Sequence, residues 1–333
     1  MLPPVNLRPP FNITRASHVR LTVDDLTKSR DFYTQVMGLL VTEEDDSVCY
    51  LRALAEACHH SLVLERRNSD AMARRLGFRV YFDEELDVAY RWFEERGLPV
   101  EWVDQPHQGR TLHVSDPIGT PLELCATMDV RPRRYTEVRE FPGARAQQLD
   151  HFQILAPDPM EVARFYGELG FRASDYVASG DDLTAAFLYR TTSTLDLAVA
   201  TGTGPRLHHF AYIVPEAREI FTACDWAGSL GYGANVERGP GRHGPGGILF
   251  VYLRDPDGHR VEAFISHGLA IDVESEPVAW DGGALNTSLR WGLPALEKWY
   301  VEASPFPDME TREPVNPSRP MTLERSLGAP TVD

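Results

Sequence analysis

Four stretches of this chain follow one plan of apolar and polar positions. Each has an opening run that alternates like a strand, then a segment with helical spacing, then several short strand-like runs. The first opens at His18-Val-Arg-Leu-Thr-Val, continues into a helix predicted over Leu26–Met37 and closes at Ser61-Leu-Val-Leu-Glu65. The second opens at Gly77-Phe-Arg-Val, carries a helix about Glu84–Arg96 and closes at Pro121-Leu-Glu123. The third opens at Leu149-Asp-His151-Phe-Gln153, with a helix about Pro159–Glu168 and a closing run Thr194-Leu195-Asp-Leu-Ala-Val199. The fourth opens at Leu207-His-His209-Phe, with a helix about Ala217–Leu230 and a closing run at Glu262-Ala-Phe. Acidic or proline-containing segments precede the helices, and Gly38, Gly97, Gly170 and Gly231 follow them, as helix starts and stops require.

A module of this size cannot bury a generous core alone. The expected fold is therefore α+β: four βαβββ modules paired into two domains whose mixed sheets curve around a shared cavity. The domains are placed at about 12–127 and 147–265. A charged linker covers Met128–Gln148, and a tail at 268–333 is rich in proline, tryptophan and acidic groups. Trp280–Tyr300 is expected to pack back over a domain, and Pro305–Asp333 to be partly mobile.

The paired repeats point to chemistry. Val251-Tyr-Leu-Arg-Asp-Pro-Asp-Gly-His-Arg-Val-Glu262 has the layout of Leu112-His-Val-Ser-Asp-Pro-Ile-Gly-Thr-Pro-Leu-Glu123. His151 and His209 occupy matching slots in the openings of modules three and four, and Glu262 lies on the last strand of module four. Paired packing would turn two imidazoles and one carboxylate into one cavity. That donor set leaves positions open on a divalent ion; it suits Fe(II) and oxygen chemistry best, with Mn(II) next and zinc not excluded by the donors alone. The first pair of modules keeps His18 and Glu123, but Gly77 replaces the third donor, so that half reads as scaffold. His208 neighbours His209, but strand alternation turns it to the other face.

Composition narrows the rest. The 333 residues are 43% hydrophobic and 25% charged, with a formal net charge of −16. This balance argues against a nucleic-acid role. Cys49, Cys58, Cys125 and Cys224 match no zinc or iron–sulfur spacing and read as free thiols of a reducing compartment. No apolar run approaches membrane-spanning length and no signal peptide is legible, so the expected location is cytoplasmic, away from membranes.

Longer motifs carry a resemblance. Asp25-Leu-Thr-Lys-Ser-Arg-Asp-Phe-Tyr33, Leu149-Asp-His-Phe, Leu207-His-His-Phe-Ala, Glu237-Arg-Gly-Pro-Gly-Arg-His243-Gly, Tyr252-Leu-Arg-Asp-Pro-Asp-Gly-His-Arg-Val-Glu262, Trp280-Asp and Trp299-Tyr-Val-Glu-Ala-Ser are co-linear over nearly the whole chain. In these the chain resembles the type I extradiol ring-cleavage dioxygenases of the vicinal-oxygen-chelate superfamily, in particular the homoprotocatechuate and catechol 2,3-dioxygenase branch. The resemblance implies Fe(II), occasionally Mn(II), held by His151, His209 and Glu262. It also implies O2 and a small aromatic diol as reactants, and a homo-oligomer, commonly a tetramer. Tyr252 would hydrogen-bond the metal-bound substrate oxygen, His243 would be a cavity histidine that handles protons, and Arg238 a supporting arginine. Gln153 stands where relatives have asparagine. The glycine-rich Gly239–Gly247 segment is expected to be a loop bringing His243 over the cavity mouth.

Two departures bear on the reaction. Leu195 stands where the family has its acid–base histidine, and it has no proton to take or return. Phe187 replaces a pocket tryptophan. In the tail, Thr287 and Ser288 stand where homoprotocatechuate enzymes use two arginines for the substrate carboxylate, and neither makes a charged bidentate contact. Arg290 could compensate only by turning inward. The expectation is a neutral or bulkier catechol rather than homoprotocatechuate, cleaved to a ring-opened semialdehyde-type product. Two alternatives stay open: metal-dependent oxidation of a catechol or enediol without cleavage, and a non-catalytic small-molecule-binding role.

Overall fold

The computed structural model describes residues 2–67, 70–191, 193, 195–265, 268, 272, 274–284, 289–309 and 311–315. Strand, helix and three strands follow one another four times. The N-terminal half holds β1 (Ile13–Val23), α1 (Leu26–Gln35), β2 (Leu40–Glu44), β3 (Val48–Arg52) and β4 (Leu62–Arg66), then β5 (Ala73–Val80), α2 (Asp83–Glu95), β6 (Val100–Val103), β7 (Thr111–Ser115) and β8 (Pro121–Cys125). The C-terminal half holds β9 (Gln148–Ala156), α3 (Pro159–Glu168), β10 (Arg172–Ser179), β11 (Asp182–Tyr189) and β12 (Leu197–Thr201), then β13 (Arg206–Ile213), α4 (Ala217–Ser229), β14 (Val236–Arg242), β15 (Leu249–Arg254) and β16 (Arg260–Ile265). The tail adds β17 (Val278–Asp281), α5 (Glu297–Val301), β18 (Ser304–Pro307) and β19 (Pro314–Val315).

Local chemistry explains the helix starts. The Asp25 carboxylate accepts from the Lys28 N–H at the head of α1, and Asp158 accepts from Met160 before α3, which also has a proline in its first turn. Three acidic residues fill the first turn of α2 and complement the helix dipole.

The N-terminal sheet runs β2-β3-β4-β1-β5-β8-β7-β6, and the C-terminal sheet runs β14-β15-β16-β13-β9-β12-β11-β10-β17. Both orders are open. In every repeat the opening strand pairs in parallel with the last strand, and the two opening strands of a half pair antiparallel at its centre. This placement decides the site: β9, β13 and β16 are adjacent, buried strands in the middle of the second sheet.

The halves lock together through the repeated Asp-Pro-x-Gly turns. Asp116 accepts from the Thr120 N–H and Asp255 from the His259 N–H, so each aspartate closes its own turn. Each aspartate's second oxygen accepts a tyrosine hydroxyl from the opposite half: Tyr166 reaches Asp116 at 3.4 Å, and Tyr33 reaches Asp255 at 2.8 Å. Burial lifts the Asp116 carboxyl to about 7 and the Asp255 carboxyl to about 6. Apolar packing is continuous across the join, with Phe78 edge-on to Phe152 and Phe32 edge-on to Tyr232.

Two expectations about local structure change. The glycine-rich segment before His243 is a bulged strand: β14 pairs with β15 as far as Arg242, with register shifts that absorb Gly239-Pro240. Pro305–Pro307, at the start of the end expected to be partly mobile, belongs to a buried strand, Ser304–Pro307, that pairs with β13. Backbone pairing and the buried Phe306 ring outweigh the proline content there.

Candidate metal centre

His151 lies on β9, His209 on β13 and Glu262 on β16, each 2% exposed or less. Register brings them together. Ala211 of β13 pairs with His151 on one side and with Glu262 on the other, and His209 is two residues from it on the same face. The His151 Nε2 and His209 Nε2 atoms lie 3.3 and 3.4 Å from Glu262 Oε2. Two donors bound tetrahedrally at about 2.0–2.1 Å stand roughly 3.3–3.4 Å apart, so a cation fits among these atoms with little movement. His209 Nε2 and Glu262 Oε1 are buried and make no hydrogen bond. Orphaned polar atoms of this kind are costly unless a cation completes them.

The surrounding residues aim the imidazoles. The Asp150 carboxylate accepts from His151 Nδ1 at 2.8 Å, leaving the Nε2 lone pair for the cavity. His209 is set by a relay. The Trp299 carbonyl can only accept, so His208 Nε2 donates to it, at 2.8 Å. His208 Nδ1 is then an acceptor, and His209 Nδ1 donates to it, at 2.8 Å. His208 therefore turns away from the cavity as strand alternation implies, yet it fixes the proton of its neighbour. Burial, with the charges of Arg260 and His209, holds the His208 imidazole well below its usual range and keeps it neutral.

The electrostatics follow from burial and the short contacts. Burial opposes charge on His151, but hydrogen bonds to Asp150 and Glu262 outweigh it and lift the imidazole to about 9. Burial pushes His209 down to about 4. Burial also opposes charge on Glu262, yet the imidazoles of His151, His209 and His243 facing it keep it ionised, well below the usual carboxylate range. A single proton on His151 therefore competes with any cation for this site.

Behind the centre lies a second buried charge cluster. Arg254 and Arg260 both make bidentate contacts to Glu237. Burial opposes the Glu237 charge, but the Arg260 and Arg254 guanidinium groups outweigh it and hold the carboxyl at about 2. Arg260 also donates to the His208 carbonyl, and the Arg238 and Arg260 guanidinium groups each lie 4.5 Å from the Trp299 ring centroid. The pair keeps Trp299, and with it the acceptor of the relay, in place.

A cavity of about 430 Å³ opens from the triad. Tyr252, opposite Glu262 in the β15–β16 register, places its hydroxyl 2.8 Å from His243 Nε2. Burial and the Glu262 charge raise the Tyr252 phenol well above its ordinary value. The His243 ring stacks on Phe250 at 3.8 Å and 15°. Gln153, Phe187, Leu195 and Arg238 also line the cavity, as their sequence positions suggest. Arg290 does not: it is exposed, with its guanidinium 5.2 Å from the Trp280 ring centroid, so stacking on that ring holds it outside. Thr287 and Ser288 lie outside the described residues. The sequence reading passes over Asp175, which lines the cavity and accepts from Trp280 Nε1 at 2.8 Å. It also misses the roles of Asp150 and Trp299, although Asp150 stands beside a ligand candidate in the Leu-Asp-His motif.

The matching slots of the N-terminal half look different. His18 Nε2 lies 2.6 Å and His113 Nε2 2.8 Å from opposite oxygens of Glu123, and Gln108 donates to the same carboxylate. The His18 ring lies over Gly77, where a Cβ would run into it.

The family profile of the Glyoxalase/Bleomycin resistance protein/Dioxygenase superfamily matches residues 15–124 and 148–263. Among solved structures, the chain is similar to homoprotocatechuate 2,3-dioxygenase from Arthrobacter globiformis, with 34% identity and a TM-score of 0.89 over 94% of this chain and 98% of that one. It is also similar to the anaerobic substrate complex of homoprotocatechuate 2,3-dioxygenase from Brevibacterium fuscum with 3,4-dihydroxyphenylacetate, with 33% identity and a TM-score of 0.87 over 92% and 97% of the two chains. A manganese-dependent 2,3-dihydroxybiphenyl 1,2-dioxygenase from Geobacillus genomosp. 3 is 26% identical over 304 residues, 86% of this chain and 95% of the relative.

Proposed function

From the chain's membership of the Glyoxalase/Bleomycin resistance protein/Dioxygenase superfamily, we propose that it is an Fe(II)-dependent extradiol dioxygenase that opens a catecholic ring with O2. The observation that carries this reading is the convergence of two imidazole nitrogens and one carboxylate on a point where His209 Nε2 and Glu262 Oε1 lack any hydrogen-bond partner, beside a cavity large enough for an aromatic diol. His151, His209 and Glu262 are the ligands. Fe(II) is the cofactor, and the manganese-dependent relative supports Mn(II) as the alternative. When bound, such an ion acidifies a diol hydroxyl and couples the diol to O2.

The chain's own residues supply orientation and protons. Tyr252 and His243 share a hydrogen bond beside Glu262, so the pair can hold a substrate oxygen and take or return its proton. Leu195 has no titratable group, which leaves proton handling to that pair. Phe187 and Leu195 make their side of the cavity apolar, and Gln153 offers an amide there. Asp175 puts a carboxylate in the wall. Together with Thr287 and Ser288 in place of the family's arginines, it supports a neutral or bulkier catechol over an anionic one. In the same reading each domain, 12–127 and 147–265, pairs two βαβββ modules whose sheets curve around one cavity, with the 268–333 tail over them, and the protein is a cytoplasmic homo-oligomer, with a tetramer as the family's common state. No helix among the described residues is long and apolar enough to cross a membrane.

Leu195 favours a second reading, in which the same site oxidises a catechol without ring cleavage. Anaerobic loading with Fe(II), followed by O2 and a panel of catechols, separates the readings by product mass. A product that gains both oxygen atoms supports ring cleavage. Quinone with peroxide supports the second reading, and no O2 uptake by the iron-loaded protein refutes both.

A further inference from the structure

A second group of metal-ligating side chains lies in the N-terminal half, apart from the His18–Gly77–Glu123 slots. Glu43 is on β2, His59 is in the connection between β3 and β4, and His107 is in the connection between β6 and β7. β2 and β6 are the two outer strands of the open N-terminal sheet. The cluster therefore joins chain from both ends of that sheet.

Its geometry resembles that of the candidate catalytic centre. His59 Nε2 and His107 Nε2 each lie 3.6 Å from the same oxygen, Glu43 Oε2. The corresponding separations in the C-terminal triad are 3.3 and 3.4 Å. Donors tetrahedrally bound at about 2.0–2.1 Å are roughly 3.3–3.4 Å apart, so a small inward turn of the side chains suffices. The two rings are parallel, 3.8 Å between centroids, and Tyr50 stands edge-on to both.

Three independent features mark the cluster as built for a cation. His59 is fully buried, and its Nε2, facing Glu43, makes no hydrogen bond. The Asp129 carboxylate lies 3.1 Å from His107 Nδ1. A carboxylate only accepts, so Nδ1 carries a proton, and a ring with that single proton turns its Nε2 lone pair toward Glu43. In that form two acceptors face each other unless a cation or a second ring proton lies between them, and a carboxylate behind a histidine is the usual support of a metal ligand. Finally, His107 sits at φ 65°, a left-handed backbone that non-glycine residues seldom adopt and that tends to occur at functional positions.

We propose that Glu43, His59 and His107 form a second divalent-cation site, supported by Asp129, which takes a borderline ion of the Zn(II) class. Two imidazoles and one carboxylate suit such an ion, and solvent at half-exposed Glu43 supplies the remaining position. The site is structural. It clips β2 to the turn beyond β6 and, through Asp129, to the segment that leaves β8 for the C-terminal half; the Asp129 N–H also donates to the His107 carbonyl.

The test counts cations on the full chain. Apo protein is saturated with Zn(II), passed through gel filtration and analysed for bound zinc, and Co(II) spectra report the donor set. The wild type should hold two equivalents per chain. His107→Gln and Glu43→Gln should each hold one, and Glu262→Gln should also hold one, at the other site. Glu43 is half exposed, so Glu43→Gln keeps the fold, as circular dichroism will show, while weakening the second equivalent at least tenfold. A Glu43→Gln variant that binds as much zinc as wild type overturns the proposal and leaves a stacked histidine pair. The count does not read turnover, so it stands or falls apart from the dioxygenase reading.

Discussion

Replacing His208 with leucine tests whether the proton relay from Trp299 sets the affinity of the metal centre. The Trp299 carbonyl fixes the proton on His208 Nε2, and His208 Nδ1 then fixes the proton on His209 Nδ1, each over 2.8 Å. Leucine fills much of the space against Trp299 but accepts no hydrogen bond. The His209 N–H, in a residue only 2% exposed, is left without its acceptor. The ring can recover by moving its proton to Nε2, where Glu262 Oε2 lies 3.4 Å away. That form presents a proton to the cation, and binding must reverse it. An unmade buried hydrogen bond costs about 1–3 kcal/mol, equivalent to roughly 5- to 150-fold in an equilibrium constant. That range covers the 10- to 100-fold typical when the support of a metal-bound histidine is removed. Anaerobic competition titration of Fe(II) or Mn(II) against a chelator gives Kd directly. Thermal unfolding of the apo protein reads separately the loss of the donor to the Trp299 carbonyl, which the reversed tautomer does not replace. A Kd within twofold of wild type would refute the relay.

Other outcomes follow from single residues. Burial lifts the Asp116 carboxyl to about 7 from an ordinary 3.8, so the folded state holds its proton more tightly than the unfolded chain. Its stabilising contribution is fully present below about pH 3.8 and is lost as pH rises through about 7; Asp116→Asn should remove that part of the slope of urea midpoints between pH 5 and 8, and an unchanged slope would exclude Asp116 as its source. Leu195→His should raise the fraction of consumed O2 that ends in ring-opened product, by about tenfold or more where proton transfer limits the reaction; an unchanged fraction means the Tyr252–His243 pair already suffices. Asp175→Asn should improve catechols with anionic side chains by about 1–3 kcal/mol, roughly 5- to 150-fold in kcat/KM, and leave neutral ones unchanged. Equal effects on both would show that Asp175 acts through packing.

The order of elements was legible because its signals are local. The Asp25 and Asp158 caps and the four glycines after the helices bracket segments whose predicted bounds lie within two residues of those observed. The triad was legible because the repeat supplies register: His151, His209 and Glu262 occupy equivalent slots, and register decides which side chains meet across strands. What remained hidden depends on contacts distant in sequence. Nothing near His208 shows that Trp299 will supply its acceptor, 91 residues away. Ser304–Pro307 looks like an end because its pairing partner is nearly 100 residues earlier in β13. Glu43, His59 and His107 share no motif, and only the meeting of the two sheet ends brings them together. Arg290 does not line the cavity, because its guanidinium lies over the Trp280 ring outside it.

The two halves share one frame and differ in how their central carboxylate is satisfied. Glu123 takes donors on both oxygens from His18, His113 and Gln108, whereas Glu262 keeps an oxygen with no hydrogen bond. Donor identity alone therefore does not make a metal site; the frame must also leave the donors unmatched. Gly77→His makes this testable, since it restores a second histidine beside His18 and Glu123. His18 already occupies the space of any side chain at 77. Admitting the new ring means displacing His18 and breaking its 2.6 Å contact with Glu123. A hydrogen bond to a charged group in such a place contributes about 1.5–3 kcal/mol. The variant should be destabilised by at least that amount and should bind no more cation per chain than wild type. A new equivalent that disappears with Glu123→Gln would show instead that sequence slots suffice, and that the His18 and Glu123 slots lack a centre only for want of one imidazole.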